Sequence, residues 1–190
     1  MEIALFVVVG VVVVVLIYTI MIYNNLVRLK HNVSQAWSNI DVLLKQRHDE
    51  LPKLVETCKQ YMTFEQETLQ RVMEARAAVA AAREGGNVAA LGPAESQLRL
   101  GLGNLFAVAE AYPELKSSDT FQHLQTRISG LENGIADRRE YYNESVNINN
   151  IRIEQFPDVI VARLFNFIAR DLLEFSEEEK RDVDMKALFS

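Results

Sequence analysis

The sequence predicts an all-α protein: a single N-terminal transmembrane helix followed by an elongated, antiparallel, up-and-down helical bundle of about four helices. Three observations lead there. Residues 3–22 form an uncharged apolar run, and the remaining chain repeats apolar residues at spacings of three and four. No stretch shows the strict apolar-polar alternation of a strand. The expected organisation is an anchor over residues 1–23, a bundle over 24–175 and an acidic tail over 176–190.

As a helix rising ~1.5 Å per residue, the apolar run spans ~30 Å, the thickness of a bilayer's hydrocarbon core. Its many valines do not oppose a helix, because lipid offers backbone amides no water and forces them to bond within the segment. A cleaved signal peptide would need a basic leading region and a small-residue cleavage site. Here only Met1 and Glu2 precede the run, and Tyr18, Thr19, Met21 and Tyr23 close it, so an uncleaved anchor with an interfacial tyrosine belt is expected. Arg28 and Lys30 follow it closely, then Lys45 and Arg47, with no Lys or Arg before it, which by the positive-inside rule puts the bulk of the chain on the cytoplasmic side.

Beyond the anchor, Leu26, Leu29, Val33, Trp37, Ile40 and Leu44 share one helix face. Pro52 either occupies a first helical turn or kinks a longer rod, since its ring nitrogen cannot donate to the residue four back. Leu54, Cys58, Tyr61, Leu69, Val72 and Val79 carry the period to Gly85-Gly86, where the first long element is expected to end. Gly92-Pro93 is read as the opening of a second helix, with Leu98, Leu102, Leu105, Phe106 and Ala109 inward and Tyr112-Pro113 closing it. Residues 85–93 and 113–118 are thus the expected interhelix turns. Ser118-Asp119 then caps the most regular stretch, in which Phe121, Leu124, Ile128, Leu131, Ile135, Arg138, Tyr142, Val146, Asn149 and Ile153 form one seam. Pro157 ends it. A final amphipathic segment, residues 159–175, is expected to close the core; Arg163 and Arg170 beside its apolar face also suit a membrane surface or another subunit.

After the anchor, 20 Lys and Arg face 25 Asp and Glu, a net −5 that gives no electrostatic footprint for nucleic acid. The single Cys58 excludes an intrachain disulfide and a Cys-rich metal site. His31, His48 and His123 form no paired-histidine motif, and no Glu-x-x-His of the kind that carries di-metal sites in four-helix bundles occurs. No catalytic, cofactor-binding or metal-binding residue is therefore assigned, no cofactor is expected, and the chain is read as a non-enzyme.

The side chains that stand out suit packing and recognition. Trp37 brings the largest apolar surface to its seam, with Asp41 one turn on placed to meet its N–H or Lys45. Asp41, Arg47, Glu56, Glu110, Glu132 and Arg138 suit a buried ionic network between helices, a device for setting register. Asn143, Asn147 and Asn150 share one face and suit interhelical hydrogen bonds or a polar recognition surface.

Several blocks occur in a distinctive order behind the anchor. The first is Ala36-Trp37-Ser38-Asn39-Ile40-Asp41-Val42, followed by Lys45, Arg47, Asp49-Glu50-Leu51-Pro52 and Leu54-Val55-Glu56. Then come Glu110-Ala111-Tyr112-Pro113-Glu114-Leu115-Lys116, and Tyr142-Asn143 with Phe156-Pro157 downstream. Together they resemble the LemA family of bacterial membrane proteins over nearly the whole chain after residue 20. The resemblance implies a four-helix up-and-down bundle on one anchor and brings no agreed enzymatic activity. The expected structural or interaction residues are Trp37, Asp41, Arg47, Pro52, Glu56, Glu110, Tyr112, Pro113, Glu132, Arg138, Tyr142, Asn143, Phe156 and Pro157. The expected function is an oligomeric scaffold at the bacterial inner membrane; the alternative is an adaptor or sensor that binds a membrane or envelope-stress protein. The expected partners are the lipid bilayer and further copies of the chain, with a membrane protein as the alternative and no nucleic acid.

Overall fold

The structure, a computed structural model, describes residues 1–174. The acidic tail expected over residues 176–190 lies outside them. Every regular element among the described residues is helical: α1 (Glu2–Lys59), α2 (Gln66–Glu84), α3 (Val88–Ala109), α4 (Pro113–Lys116), α5 (Asp119–Glu154) and α6 (Asp158–Leu164). Two compact units are formed, one from Met1–Ser38 with Glu140–Asp171, the other from Asn39–Arg139 with residues 172–174.

Among the described residues, α1 carries the one helical stretch long and apolar enough to cross a membrane. Its residues up to Tyr18 are exposed, and burial begins in earnest at Ile22. In the first unit Ile22 and Leu26 of α1 pack with Ile153 of α5 and Val161 and Ala162 of α6. Further along, the Trp37 and Tyr142 rings meet edge to face, with centroids 5.6 Å apart. Rising residue numbers on α1 thus meet falling numbers on α5, so the two run antiparallel.

The second unit repeats the relation with α2. Arg83 of α2 donates to Asp41 of α1 at 2.5 Å, and Arg76 donates to the His48 carbonyl at 3.0 Å. The α1 core is Ile40, Leu44, Leu51, Leu54 and Cys58; Val72 and Val79 of α2, Leu98, Leu102 and Leu105 of α3, and Phe121, Leu124 and Ile128 of α5 are also buried. Pro52 lies inside α1 without ending it. Lacking an N–H, it leaves the carbonyl of His48, four residues back, without its helical donor, and the Arg76 guanidinium takes that acceptor.

Four element boundaries differ from the sequence reading, each for a local reason. The first long element divides at residues 60–65 into α1 and α2, at a turn that contains neither Gly nor Pro. There Met62 turns inward and its N–H bonds the Cys58 carbonyl at 2.8 Å. α3 starts four residues before Gly92, because Gly86, at φ 62°, ends α2 in a left-handed turn in which the Gly86 and Asn87 N–H groups bond the Arg83 and Ala82 carbonyls. The Asn87 side chain then accepts from the Ala90 N–H at 3.0 Å and caps α3. The expected turn at residues 113–118 holds the one-turn α4. The expected closing helix over 159–175 stops at Leu164: Asn166, at φ 57°, turns left-handed, its N–H bonds the Arg163 carbonyl and the Phe167 N–H bonds the Ala162 carbonyl. Among the described residues six helices therefore stand where about four were expected.

Gly92 is buried within α3 rather than in a turn. A Cβ there would run into the carbonyl of Glu174, so the glycine lets the segment around buried Leu173 cross α3 backbone to backbone. Gly92→Ala is expected to lower stability by roughly 1–3 kcal/mol, as overpacking does, measured as the melting transition of the detergent-solubilised chain; an unchanged transition would show that this crossing carries no constraint. Cys58 is fully buried, and desolvation pushes its thiol pKa up to about 12. It should therefore stay unreactive toward a disulfide reagent at mildly alkaline pH until the chain is unfolded; fast labelling of the folded chain would contradict that packing.

Candidate functional site: a buried ionic layer and an asparagine clasp

In the second unit the seam of α1 runs Ile40, Leu44, Arg47, Leu51, Leu54, so spacing places a guanidinium where an aliphatic side chain would continue the pattern. The α3 seam runs Leu91, Glu95, Leu98, Leu102, and puts a carboxylate in the same situation. The two meet: Arg47 donates to Glu95 at 2.5 Å and to Glu132 of α5 at 2.6 Å. Arg47 is 1% exposed, Glu95 6% and Glu132 17%, so water screens the pairs little. Burial works against the Arg47 charge, but Glu95 and Glu132 offset it and its pKa is raised. Burial also raises the pKa of Glu95, with Arg47 opposing that shift and buried Arg139 adding a second positive charge to its surroundings. Two arginines and two carboxylates thus form one balanced layer across α1, α3 and α5.

The remaining residues of the expected network lie elsewhere. Asp41, partly exposed, pairs with Arg83 rather than with Trp37 or Lys45. Glu56 is exposed beside Lys59, and Glu110 is exposed and pairs with Lys116 at 2.5 Å. Arg138 is exposed, and its neighbour Arg139 is buried in its stead. Glu95 is missed by the sequence reading because Gly92-Pro93 has the composition of a turn, which leaves it outside the predicted α3 seam. Its place between Leu91 and Leu98, four and three residues away, is the signal that would have found it. Pro52 acts through the freed His48 carbonyl, and a ring nitrogen of His48 also lies 2.6 Å from the Arg76 guanidinium. Burial and that guanidinium lower the His48 pKa. Tyr112 precedes α4, accepting from the Lys116 N–H, and Pro113 fills the first position of α4, where a missing N–H costs nothing.

In the first unit Tyr142 is buried, and its hydroxyl donates to the Asp171 carbonyl at 3.0 Å. The Asn150 side chain accepts from the Arg170 N–H at 2.9 Å and donates to the Arg170 carbonyl at 2.8 Å, a two-point clasp on the segment after α6. Asn143 is half-buried, Asn147 is exposed and Asn149 is buried. Phe156 is exposed, followed by Pro157 and by Asp158 in the first turn of α6, where a negative charge is favoured. Asp158 is buried and forms an ion pair with Arg152. Among the described residues no group of three or more His, Cys, Asp or Glu side chains is placed to hold a metal ion.

A chain whose described elements are all helical, with one long apolar N-terminal helix among them and inward-facing polar residues that tie helix to helix, is, by class, a helical protein fitted for membrane anchoring. The chain belongs to the LemA family, whose profile matches residues 36–186. It is 28% identical to magnetosome protein MamQ 2 of Paramagnetospirillum magneticum and 25% identical to magnetosome protein MamQ of Magnetospirillum gryphiswaldense, each match covering 78% of this chain and 63% of the relative. It is 29% identical to protein LemA of Metamycoplasma hominis, over 87% of this chain and 74% of that protein. The match thus spans less than two thirds of the length of the magnetosome relatives, and the names of these relatives state no catalytic activity.

The ionic layer makes a direct energetic prediction. Arg47→Met is expected to cost roughly 3–5 kcal/mol, because it leaves buried carboxylates without their counter-charge, and adding Glu95→Gln should recover part of the loss. Thermal unfolding of the solubilised variants measures both; a loss below about 1 kcal/mol, the level of ordinary surface changes, would remove the layer from the stability of the unit.

Proposed function

We propose that the protein is a non-enzymatic, membrane-anchored scaffold of the bacterial inner membrane, whose α1, α2, α3 and α5 form an up-and-down bundle on the cytoplasmic side and whose copies associate laterally. The observation that carries this reading is the form of α1: one uninterrupted helix that begins with an exposed apolar stretch and continues as a packed one. The basic residues Arg28 and Lys30 just past the apolar run support the cytoplasmic placement. The interior that follows is filled by apolar side chains and a self-balanced ionic layer, an arrangement that serves rigidity and register rather than turnover of a small molecule.

Lateral association is supported by a second observation. Tyr141, Ile148 and Ile151 of α5 are exposed at 51%, 48% and 64%, and spacings of seven and three place them on one helix face. Confinement of anchored chains to a plane raises their effective concentration, so a modest apolar stripe suffices for assembly. The adaptor reading uses the same stripe for a different membrane protein.

The test is the mass of the full chain in nanodiscs or mild detergent, read by native mass spectrometry beside Ile148→Asp and Ile151→Asp. A uniform multiple of the chain mass that falls to one chain in the aspartate variants is expected. A monomer for the unaltered chain would favour the adaptor, and an oligomer indifferent to both substitutions would sink the stripe as its contact.

A further inference from the structure

α6 has two faces, and its packing uses only one. Val161 and Ala162 are buried against Ile22 and Leu26 of α1 and Ile153 of α5. One turn apart on the other side, Ile160 and Leu164 are 60% and 73% exposed; Phe156 just before the helix is 77% exposed, and Phe165 and Ile168 just after it are 51% and 60%. Five large apolar side chains on one short stretch form the kind of patch that soluble surfaces avoid.

The depth of this patch follows from its neighbours. Ile22 is the last residue of the apolar run of α1, and it forms part of the same core as the inner face of α6. Tyr23, the next residue, stands at the level where tyrosines gather between hydrocarbon and headgroups. Its ring lies edge-on to Phe165 and to Phe167, at centroid distances of 4.8 and 5.8 Å. The stretch from α6 to Phe167 is therefore held at the mouth of the membrane span. Three features hold it there: the left-handed turn at Asn166, the clasp of Asn150 on Arg170, and the ion pair of partly exposed Arg152 with buried Asp158, which takes the α6 carboxylate out of the exposed face. Arg163 and Arg170 stand exposed beside the apolar residues, charges that suit phosphate headgroups.

We infer that the outer face of α6, continued by Phe165 and Ile168, docks on the phospholipid surface of the bilayer that α1 spans, seating its apolar side chains among the acyl-chain ends and its arginines among the phosphates. The inference rests on the reading of α1 as a membrane span. It gives the protein a second membrane contact, which fixes the rotation of α1 about its own axis where a lone helix could spin.

The experiment places single spin labels on the full-length chain in nanodiscs of phosphatidylethanolamine and phosphatidylglycerol, in a Cys58→Ala background. Labels at Ile160→Cys and Leu164→Cys probe the docked face, Val12→Cys the span, and Glu140→Cys an exposed position on α5. Because Ile160 and Leu164 are exposed, labelling them does not disturb the core. Expected is a ratio of oxygen to nickel-chelate accessibility several-fold higher at 160 and 164 than at 140, and higher again at 12. Lipid-like values at 12 with water-like values at 160 and 164 would overturn the docking while leaving the span intact. Water-like values at 12 would overturn both. Protection at 160 and 164 accompanied by strong label-to-label coupling between chains would assign the face to a second copy and likewise overturn the proposal.

Discussion

A guanidinium taken out of water loses far more solvation than one hydrogen bond returns, so Arg47 can occupy the α1 seam only where counter-charges arrive from other helices. Glu95 and Glu132 meet that demand from α3 and α5, and Arg139 restores the balance that two carboxylates would otherwise upset. An apolar seam alone tolerates a slip of one heptad at modest cost, because leucine packs against leucine in either register. A slip here would leave a bare charge in the interior. The layer thus selects one sliding position for three helices at once, and the other pairings in that unit agree with it: Glu50 receives Arg127, Asp41 receives Arg83, and Gly134 makes room for Leu43.

The helical class and most of the buried seam were legible in the sequence because they depend on periodicity, a property of the chain itself. Leu26, Val33, Ile40 and Leu44 on α1, and Phe121, Leu124, Ile128, Ile135, Tyr142 and Val146 on α5, lie inside as their spacing implies. What was not legible depends on distant contacts. Arg138 and Arg139 fit the α5 spacing equally well, since both three and four residues are permitted steps from Ile135, and only the carboxylates on other helices decide that Arg139 goes inward. Gly92-Pro93 carries the composition of a turn, yet the glycine answers to the backbone of Glu174, more than eighty residues away in sequence. The end of α6 is a third case. The apolar pattern continues to Phe167 and Ile168, but a left-handed asparagine returns Phe167 to the core, and no period records such a reversal.

Proline illustrates how a local defect can become a tertiary contact. Pro52 denies the His48 carbonyl its donor in the middle of a long helix, a loss that usually kinks or ends one. Here α2 supplies the missing N–H through Arg76, so the same residue that weakens α1 locally creates a docking point for its neighbour. The block around Leu51-Pro52, prominent in the sequence, gains a physical meaning that does not require a ligand.

The absence of any break in α1 between the apolar run and the packed residues after Ile22 has a mechanical consequence. A flexible linker would uncouple the packed residues that follow from an anchor, whereas a continuous helix, anchored as proposed, acts as a lever with its fulcrum at the bilayer surface. Hydrophobic stretches longer than the local hydrocarbon thickness tilt to stay covered, and here a tilt cannot be absorbed between span and packed helix. The first unit of the anchored chain would then lean according to the thickness of the lipid around α1, so that the direction in which its exposed α5 stripe points becomes a property of the membrane as well as of the protein.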